Sequence, residues 1–465
     1  MAEAIRPRRA WGSFIVRLLM LLSLSFAMMS RPALAQSILR DAETESLFHD
    51  MSAPLVEAAG LRPKDVEIVL IHDKSINAFV AGGQVVYVHS GLIAAADNAN
   101  EVQGVIAHEL GHIAGGHVVR FGEGMKMATG IMLLSLLLGA AAMAAGAGEA
   151  GAGILAAGQQ AALGKFLAFS RVQESSADQA GASYLHKAGI SGRGSIAFFK
   201  RLQNQEFRLA IPQEDSYGRT HPLSGERIQI LENAYKNDAA WNTKTDPALE
   251  DRFQRVKAKL AGFVEDPRTT LIRYPETDKS VPARYARAYA WHKSAYPDRS
   301  MAEVDSLLRD RPNDPYFLEL KGQVLLESGH PEEALASLRD AVSRAPDQPL
   351  ISALFGHALI ATEKPDNFPE AKKVLRSAIG RDNSNPFAWY QLGIVYDREG
   401  DRGRAALATA ERYNLEGVPR LALANAEHAM QNIARGTPDW IRAQDIAMVS
   451  RTAISREGKK GDGVK

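Results

Sequence analysis

The sequence predicts a mainly α-helical protein of two parts, an amino-terminal domain with a small β-sheet and a carboxy-terminal α-solenoid. Two observations carry this prediction. Short β-prone runs at residues 66–89 directly precede an amphipathic segment that contains His108-Glu109-Leu110-Gly111-His112. Farther along, the prolines at 315, 349 and 386 mark a period of 34 and then 37 residues, which is typical of stacked helical pairs.

Composition limits the chemistry that the chain can perform. Its 465 residues are enough for two or three domains, and its net charge of +1 gives no indication of a nucleic-acid partner. The chain has no cysteine, which excludes disulfides and thiolate metal ligands. Histidine, aspartate and glutamate remain as metal ligands.

The amino terminus has the pattern of a signal peptide. Several arginines precede a short apolar core at residues 18–29, and Ala33-Leu34-Ala35 supplies the small residues of a cleavage site. We therefore predict a signal peptide at residues 1–35 and a periplasmic mature protein. The alternative is an uncleaved membrane anchor, for which the apolar core is short.

A helix at residues 37–60 and strands at 66–71, 78–80 and 84–89 are predicted next, with Gly82-Gly83 as a turn. An edge strand of such a sheet can pair with an extended substrate backbone. We assign this role to Asn77, Ala78 and Phe79. The strands also serve to cover the helix that follows.

The HExxH pattern predicts a zinc site that binds one ion per chain. His108 and His112 are four residues apart and share a helix face, so both imidazoles can reach one ion. Glu109 lies beside the first ligand, where it can act on a water molecule. The alternative is a helix with two surface histidines, but the apolar residues around the motif favour a buried helix.

Residues 127–148 carry no charge, and an Ala/Gly-rich tract continues to residue 164. Three interpretations remain open for residues 127–164: a buried helical hairpin, a surface that contacts a membrane, or a true span. Alanine and glycine dominate the second half, which favours the hairpin.

A catalytic zinc site needs a third protein ligand. His117 stands one place before the position that a metzincin histidine would occupy, so we expect it to point away. Glu174 and Asp178 are four apart on a predicted helix and are better candidates. One would bind the metal and the other would orient a histidine, and their spacing does not say which does which.

Helices are also predicted at residues 195–208 and 226–235, and a loop at 214–220 leads to His221. We place the boundary of the first domain at residues 36–265, a polar linker at 266–281, tetratricopeptide repeats at 282–450 and a disordered tail at 451–465. The repeats are recognised by small and large residues at fixed positions, among them Leu318, Gly322, Ala334, Trp389 and Gly393.

The ordered motifs resemble the gluzincin family of the CAAX prenyl protease and the heat-shock protease HtpX. The resemblance rests on the HELGH motif, on Arg171-Val172-Gln173-Glu174 with Ala177-Asp178, and on Thr220-His221-Pro222 with Arg227. It implies a gluzincin-type metalloprotease domain. It also implies that Glu174 is the third zinc ligand, that Asp178 and Arg227 support the ligands, and that His221 lies over the metal. In periplasmic members with a repeat tail, this histidine can occupy the open coordination position.

The function that follows is a zinc endopeptidase with Glu109 as general base and His221 as either an inhibitory latch or an oxyanion stabiliser. The resemblance implies unfolded or misassembled outer-membrane proteins as substrates and the β-barrel assembly machinery as a partner of the repeats. The competing hypothesis is a periplasmic chaperone or scaffold whose protease site is mostly latched. A third is an integral-membrane protease, which depends on residues 127–148.

Overall fold

A computed structural model of the chain describes residues 37–144, 147–209, 221 and 225–462. The predicted signal peptide and the predicted loop at 214–220 lie outside the described residues.

Three strands of the sheet form close to where the sequence predicts them, whereas the first strand lies in a stretch that was predicted to be helical. The strands are β1 (Ile38–Leu39), β2 (Glu67–Ile71), β3 (Ala78–Ala81) and β4 (Val85–His89). β2 pairs in parallel with β4, and β3 pairs antiparallel to β4 at the edge of the sheet. Gly82 and Gly83 make the turn between β3 and β4 with φ of 65° and 110°, a region that favours glycine.

Three helices pack with this sheet around the main core: α1 (Ala42–Ala58), α2 (Ser90–Ala95) and α3 (Ala99–Ala114). Ser90 begins a short helix directly after the end of β4. α3 contains the HELGH motif and is buried along nearly its whole length. The Asn98 side chain accepts a hydrogen bond from the backbone N–H of Glu101 and caps its start.

α4 (His117–Ala144) and α5 (Gly148–Lys187) form a long antiparallel hairpin. α5 runs unbroken for 40 residues, so the Ala/Gly tract and the segment with Glu174 belong to one helix. The segment predicted at residues 127–164 therefore ends inside a helix, which continues to Lys187. The favoured interpretation predicted a buried hairpin. The hairpin forms, but the prediction that it is buried is wrong, because most of α4 is exposed.

The first domain continues through α6 (Arg193–Leu209), α7 (Gly225–Lys236), α8 (Pro247–Val264) and α9 (Pro267–Arg273). The predicted linker at 266–281 therefore includes a helix. Asp266 caps α9 by accepting hydrogen bonds from the Arg268 and Thr269 N–H groups, and Pro267 suits its first position. Thr270 is fully buried, so this segment is part of the packed structure.

The remaining helices stack in antiparallel pairs as expected for an α-solenoid. They are α10 (Val281–Lys293), α11 (Pro297–Asp310), α12 (Pro315–Glu327), α13 (Pro331–Arg344), α14 (Pro349–Ala361), α15 (Phe368–Arg381), α16 (Pro386–Arg398), α17 (Arg402–Leu415), α18 (Pro419–Asn432) and α19 (Pro438–Asp462).

Small residues allow close approach within these pairs. A Cβ on Gly322 would lie 2.3 Å from Leu338 Cγ, and one on Gly356 would lie 2.5 Å from Leu375 Cγ. The predicted disordered tail is wrong up to Asp462, because α19 continues to that residue. No proline interrupts residues 439–462, and a mostly exposed charged helix needs no core to continue from a packed start.

Buried charges join the first domain to the repeats. Arg255 on α8 contacts Glu43 on α1 at 2.8 Å and Asp314 at the start of α12 at 2.8 Å. The hydroxyl of Tyr285 on α10 donates to Glu43 at 2.8 Å. Arg255 and Glu43 are both almost fully buried, so these contacts lie inside the structure.

Candidate metal centre

The histidines of α3 point into a cluster of potential metal ligands. His108 Nε2 and His112 Nε2 lie 3.1 Å apart, and each lies 3.4 Å from a carboxylate oxygen of Glu174 on α5. His221 brings its Nδ1 to 3.1 Å from Glu174 Oε1 and 3.3 Å from His108 Nε2. All four side chains are buried.

These distances fit the tetrahedral coordination of a metal ion. Ligand atoms held roughly 2.0–2.1 Å from a tetrahedral centre lie about 3.3 Å from one another. The nitrogen and oxygen atoms of His108, His112, Glu174 and His221 all lie within 4.8 Å of one another, and the pairs above are separated by 3.1 to 3.4 Å. The residues present therefore fit a divalent metal.

Glycines set the spacing between the two helices that supply the ligands. A Cβ on Gly111 would lie 2.6 Å from the carbonyl oxygen of Ala177, and one on Gly181 would lie 3.1 Å from the same atom of Ala107. A larger residue at either position would push α5 away from α3. The glycine inside the HELGH motif therefore allows Glu174 to approach the histidines.

Asp178 and Arg227 support the ligand side chains. His108 Nδ1 lies 2.9 Å from Asp178 Oδ1, which leaves Nε2 of that ring directed at the ligand cluster. Arg227 donates to both Asp178 oxygens, at 2.7 and 2.9 Å, and lies 3.1 Å from Glu174 Oε2. One guanidinium thus holds both carboxylates.

The carboxylates of Asp178 and Glu174 favour a positive charge beside the two histidine rings. Burial opposes a charge on His108, but hydrogen bonds to Asp178 and Glu174 outweigh burial and raise the pKa of His108 to about 10. Burial lowers the pKa of His112 to about 3. Burial acts to raise the pKa of Glu174, yet hydrogen bonds from His108 and His112 hold it well below its usual range. Glu174 is therefore an anion.

His117 does not point away, as its spacing led us to expect. Its Nδ1 lies 3.0 Å from Nδ1 of His112, and the side chain is only 6% exposed. The expectation compared its spacing with that of a metzincin histidine, but here α3 ends at Ala114, and Gly116 turns the chain with φ of 62°. A Cβ on Gly115 would lie 2.4 Å from His117 Nε2, so that glycine makes room for the ring. The Gly115-Gly116 pair was the signal in the sequence.

Glu109 and the predicted edge strand lie next to the ligands. Glu109 is completely buried, and its Oε1 is 3.5 Å from His221 Nε2. The same nitrogen is 3.3 Å from the carbonyl oxygen of Ala78 on β3. Asn77 and Phe79 flank Ala78, and Phe79 stacks on Tyr87 of β4 with ring centroids 5.2 Å apart. The structure thus brings every residue predicted for the site into one region.

The helix with HExxH, the carboxylate ligand from a second helix and the adjoining sheet edge define a metallopeptidase. Residues 39–235 match the model of Peptidase family M48, so this part of the chain is similar to the peptidase domains of that family.

Similarity to named relatives covers more of the chain. The putative beta-barrel assembly-enhancing protease of Vibrio cholerae serotype O1 is 26% identical over 431 residues, covering 91% of this chain and 86% of that protein. The beta-barrel assembly-enhancing protease of Yersinia pestis is 25% identical and covers 80% and 76%. Metalloprotease LoiP of Escherichia coli K12 is 34% identical over 168 residues, covering 36% of this chain and 61% of LoiP.

Among solved structures, the tetratricopeptide protein YrrB aligns with 38% of this chain and 91% of its own, with 21% identity and a TM-score of 0.31. MamA aligns with 37% of this chain and 96% of its own, with 20% identity and a TM-score of 0.28.

Proposed function

We propose that the protein is a zinc-dependent endopeptidase that cleaves unfolded or misassembled outer-membrane proteins in the periplasm. The observation that carries this proposal is the set of ligand atoms 3.1 to 3.4 Å apart with the buried Glu109 carboxylate beside them. A site of two histidines, one glutamate and a remaining open position is the composition of many catalytic zinc sites.

In this mechanism His108, His112 and Glu174 would hold the ion, and Asp178 with Arg227 orients His108 so that its Nε2 faces the other ligand atoms. When bound, zinc supplies Lewis acidity, which polarises the scissile carbonyl and makes water acidic enough to attack near neutral pH. Glu109 takes the proton of the attacking water and passes it to the departing amine.

His221 occupies the position from which it can control access to this chemistry. Its distances to Glu174 and His108, 3.1 and 3.3 Å, fall in the range found between the other ligand atoms, which supports a role as a fourth ligand that closes the site. Its contact with the Ala78 carbonyl supports the same role, because it covers the backbone of the edge strand. Once moved, His221 could instead donate a hydrogen bond to the developing oxyanion.

β3 offers the means of holding an unfolded substrate. The backbone N–H of His89 donates to the Asn77 carbonyl at 3.0 Å, so Asn77 and, by alternation, Phe79 direct their backbone groups at β4. The backbone groups of Ala78 and Val80 then point out of the sheet. An extended peptide that pairs there gains main-chain hydrogen bonds without being read for its sequence.

The substrate and partners follow from the relatives and the repeats. Relatives that align with most of this chain carry the name beta-barrel assembly-enhancing protease, and a solenoid offers a concave surface for protein segments. We therefore assign the repeats to binding misassembled proteins or the outer-membrane assembly machinery. The periplasmic location depends on the signal peptide predicted at residues 1–35.

The competing function is that of a chaperone with a closed protease site, which the contacts of His221 favour. The test is cleavage of an unfolded outer-membrane protein by the purified chain and by Glu109→Gln, together with metal analysis. We expect Glu109→Gln to retain one zinc per chain and to lose cleavage by at least 1,000-fold, on the order of the effect of losing a general base. Normal cleavage by this variant would refute the mechanism. Equal suppression of aggregation by both proteins, without cleavage by either, would favour the chaperone.

A further inference from the structure

The hairpin of α4 and α5 exposes an unusual amount of apolar surface. Six large side chains in the middle of α4 are each more than half exposed, and Leu137 reaches 69%. They are Met132, Leu133, Leu134, Leu136, Leu137 and Leu138. Soluble proteins rarely leave such a contiguous patch facing water, and large patches mark surfaces that bind something.

The interior of this hairpin is made of small residues. A Cβ on Gly139 of α4 would lie 2.8 Å from Leu155 Cγ, and one on Gly158 of α5 would lie 1.8 Å from Ser135 Oγ. Gly151 on α5 likewise packs against Met143. A helix pair in water buries its leucines and exposes small or polar residues. Here the small residues form the seam and the leucines face outwards, which is how helices pack within lipid.

Charge and polarity are divided unequally between the two helices. Between residues 127 and 144, α4 has no charged residue, and its Ser135 hydroxyl donates to the Ile131 carbonyl at 2.8 Å. The corresponding part of α5 carries Glu149, Gln159 and Gln160, all exposed. A hairpin that crossed a bilayer would place the two glutamines in the hydrocarbon of the bilayer. This asymmetry therefore favours an orientation in which α4 is inserted more deeply than α5.

Basic residues mark the base of the apolar segment. Gly124 of α4 packs against Phe169 of α5, and Gly139 packs against Leu155, so Lys126 and Lys165 lie at nearly the same level of the antiparallel pair. Both lysines are exposed. From the start of the apolar segment, both long side chains can reach lipid phosphates while the leucines of α4 enter the acyl chains.

The distribution of the leucines distinguishes a bilayer from a polypeptide. Leu136, Leu137 and Leu138 are successive, so they point in three directions about 100° apart around the helix. A protein groove covers one stripe of a helix, whereas acyl chains cover every exposed side of it. We propose that the α4–α5 hairpin inserts into one leaflet of a lipid bilayer, with α4 in the acyl region and α5 towards the headgroups.

The first test is sedimentation of the full chain with vesicles of phosphatidylethanolamine and phosphatidylglycerol. We expect wild type to sediment with the vesicles, and the triple variant Leu133→Ser, Leu134→Ser, Leu137→Ser to bind at least tenfold more weakly. The matched control is Ile441→Ser, Met448→Ser, Val449→Ser, which removes three similarly exposed apolar residues from α19 and should bind as wild type does. Unchanged zinc content and peptide cleavage would show that the variants are folded.

The second test measures the orientation of the hairpin. Tryptophan placed by Leu137→Trp should be quenched by lipids brominated on their acyl chains at least threefold more than tryptophan placed by Gln160→Trp. Equal quenching at the two positions would overturn the orientation. Wild type that stays in the supernatant, or a triple variant that binds vesicles normally, would overturn membrane insertion. If the triple variant instead lost only its hold on an unfolded polypeptide, the hairpin would be a protein-binding surface and the proposal would fail.

Discussion

At the scale of single residues, His117 extends the hydrogen-bonded support of the metal ligands to the second histidine. The ring of His112 directs Nε2 at the cluster, so its Nδ1–H can donate to His117 Nδ1, 3.0 Å away. In the same way, Nδ1–H of His108 can donate to Asp178 Oδ1. Both ligand histidines are therefore held by a partner on their other nitrogen, which fixes ring orientation and tautomer.

We expect His117→Ala to weaken zinc affinity by about 10- to 100-fold, the range typical of such supporting partners. His117→Gln, which can still accept a hydrogen bond, should recover part of the loss. Competition with a chelator measures the affinity directly. The matched control is Arg120→Ala, one turn further along α4 and exposed, which should bind zinc as wild type does. Equal affinities for His117→Ala and wild type would show that the contact only packs the ring.

For His221 we expect His221→Ala to raise cleavage of an unfolded substrate by about tenfold, the gain expected if roughly nine-tenths of the molecules are closed. The rise comes from freeing the position that the imidazole fills. Initial rates at equal zinc content provide the measurement, with His186→Ala as the control because His186 is an exposed histidine far along α5. A lower rate would identify His221 as an oxyanion donor instead.

The site residues differ in how far the sequence alone predicts them. The four-residue spacing of His108 and His112 is sufficient by itself, because helix geometry determines the shared face. Glu174 and Asp178 also share a face, so spacing could not assign their roles. The axial position of α5 on α3 decides between them, and that position depends on the Gly111–Ala177 contact. His221 is remote in the chain, and only the family resemblance pointed to it.

At the scale of secondary-structure elements, β3 makes the substrate hypothesis testable because its backbone groups alternate. We expect Val80→Pro to lower kcat/KM for an unfolded substrate by about tenfold, since it removes one outward N–H that a substrate carbonyl would use. The preceding residue is already extended, which suits proline. The control is Val80→Ala, which keeps the N–H and should cleave normally.

Zinc content and thermal stability of Val80→Pro should match those of Val80→Ala, since neither change removes a hydrogen bond to β4. If Val80→Pro cleaved as fast as wild type, the substrate would be held elsewhere.

Strands β2, β3 and β4 were predictable because β-branched residues and glycine turns act locally. The length of α5 was not. The composition changes near residue 166, from Ala and Gly to polar residues, and this resembles a boundary. The helix continues because the glycines of its first half pack against α4, a contact with no local pattern in the sequence of α5.

At the scale of the whole molecule, ion pairs around the buried Arg255 connect the first domain to the repeats. Arg255 links Glu43 of α1 with Asp314 of α12, and its guanidinium also lies over the Phe317 ring at 4.4 Å. The 34-residue period predicted the solenoid, but no period indicates which of its helices meets the first domain. Glu43, Arg255 and Asp314 are far apart in the chain, so only the folded structure brings them together.

We expect Arg255→Met to lower the free energy of unfolding by about 3–5 kcal/mol, because it removes the cation that the buried Glu43 and the half-buried Asp314 share. Chemical denaturation followed by circular dichroism provides the measurement. Arg381→Met is the control, since its 3.4 Å pair with Asp347 is exposed and should contribute less than about 1 kcal/mol. Equal effects of the two substitutions would show that the joint does not depend on Arg255.

The continuity of α5 gives the protein a lever whose fulcrum lies beside the catalytic centre. The helix is pressed against α3 at Ala177, only three residues beyond Glu174, while its far end at Gly148 is 29 residues away. At about 1.5 Å per residue, Glu174 and Gly148 lie about 4.5 Å and about 44 Å from Ala177, on the same side of it. If the rigid helix rotates about Ala177, Glu174 moves about one-tenth as far as Gly148. A tip movement of about 4 Å thus moves the carboxylate by about 0.4 Å, which exceeds the tolerance of roughly 0.2 Å on a metal–ligand bond.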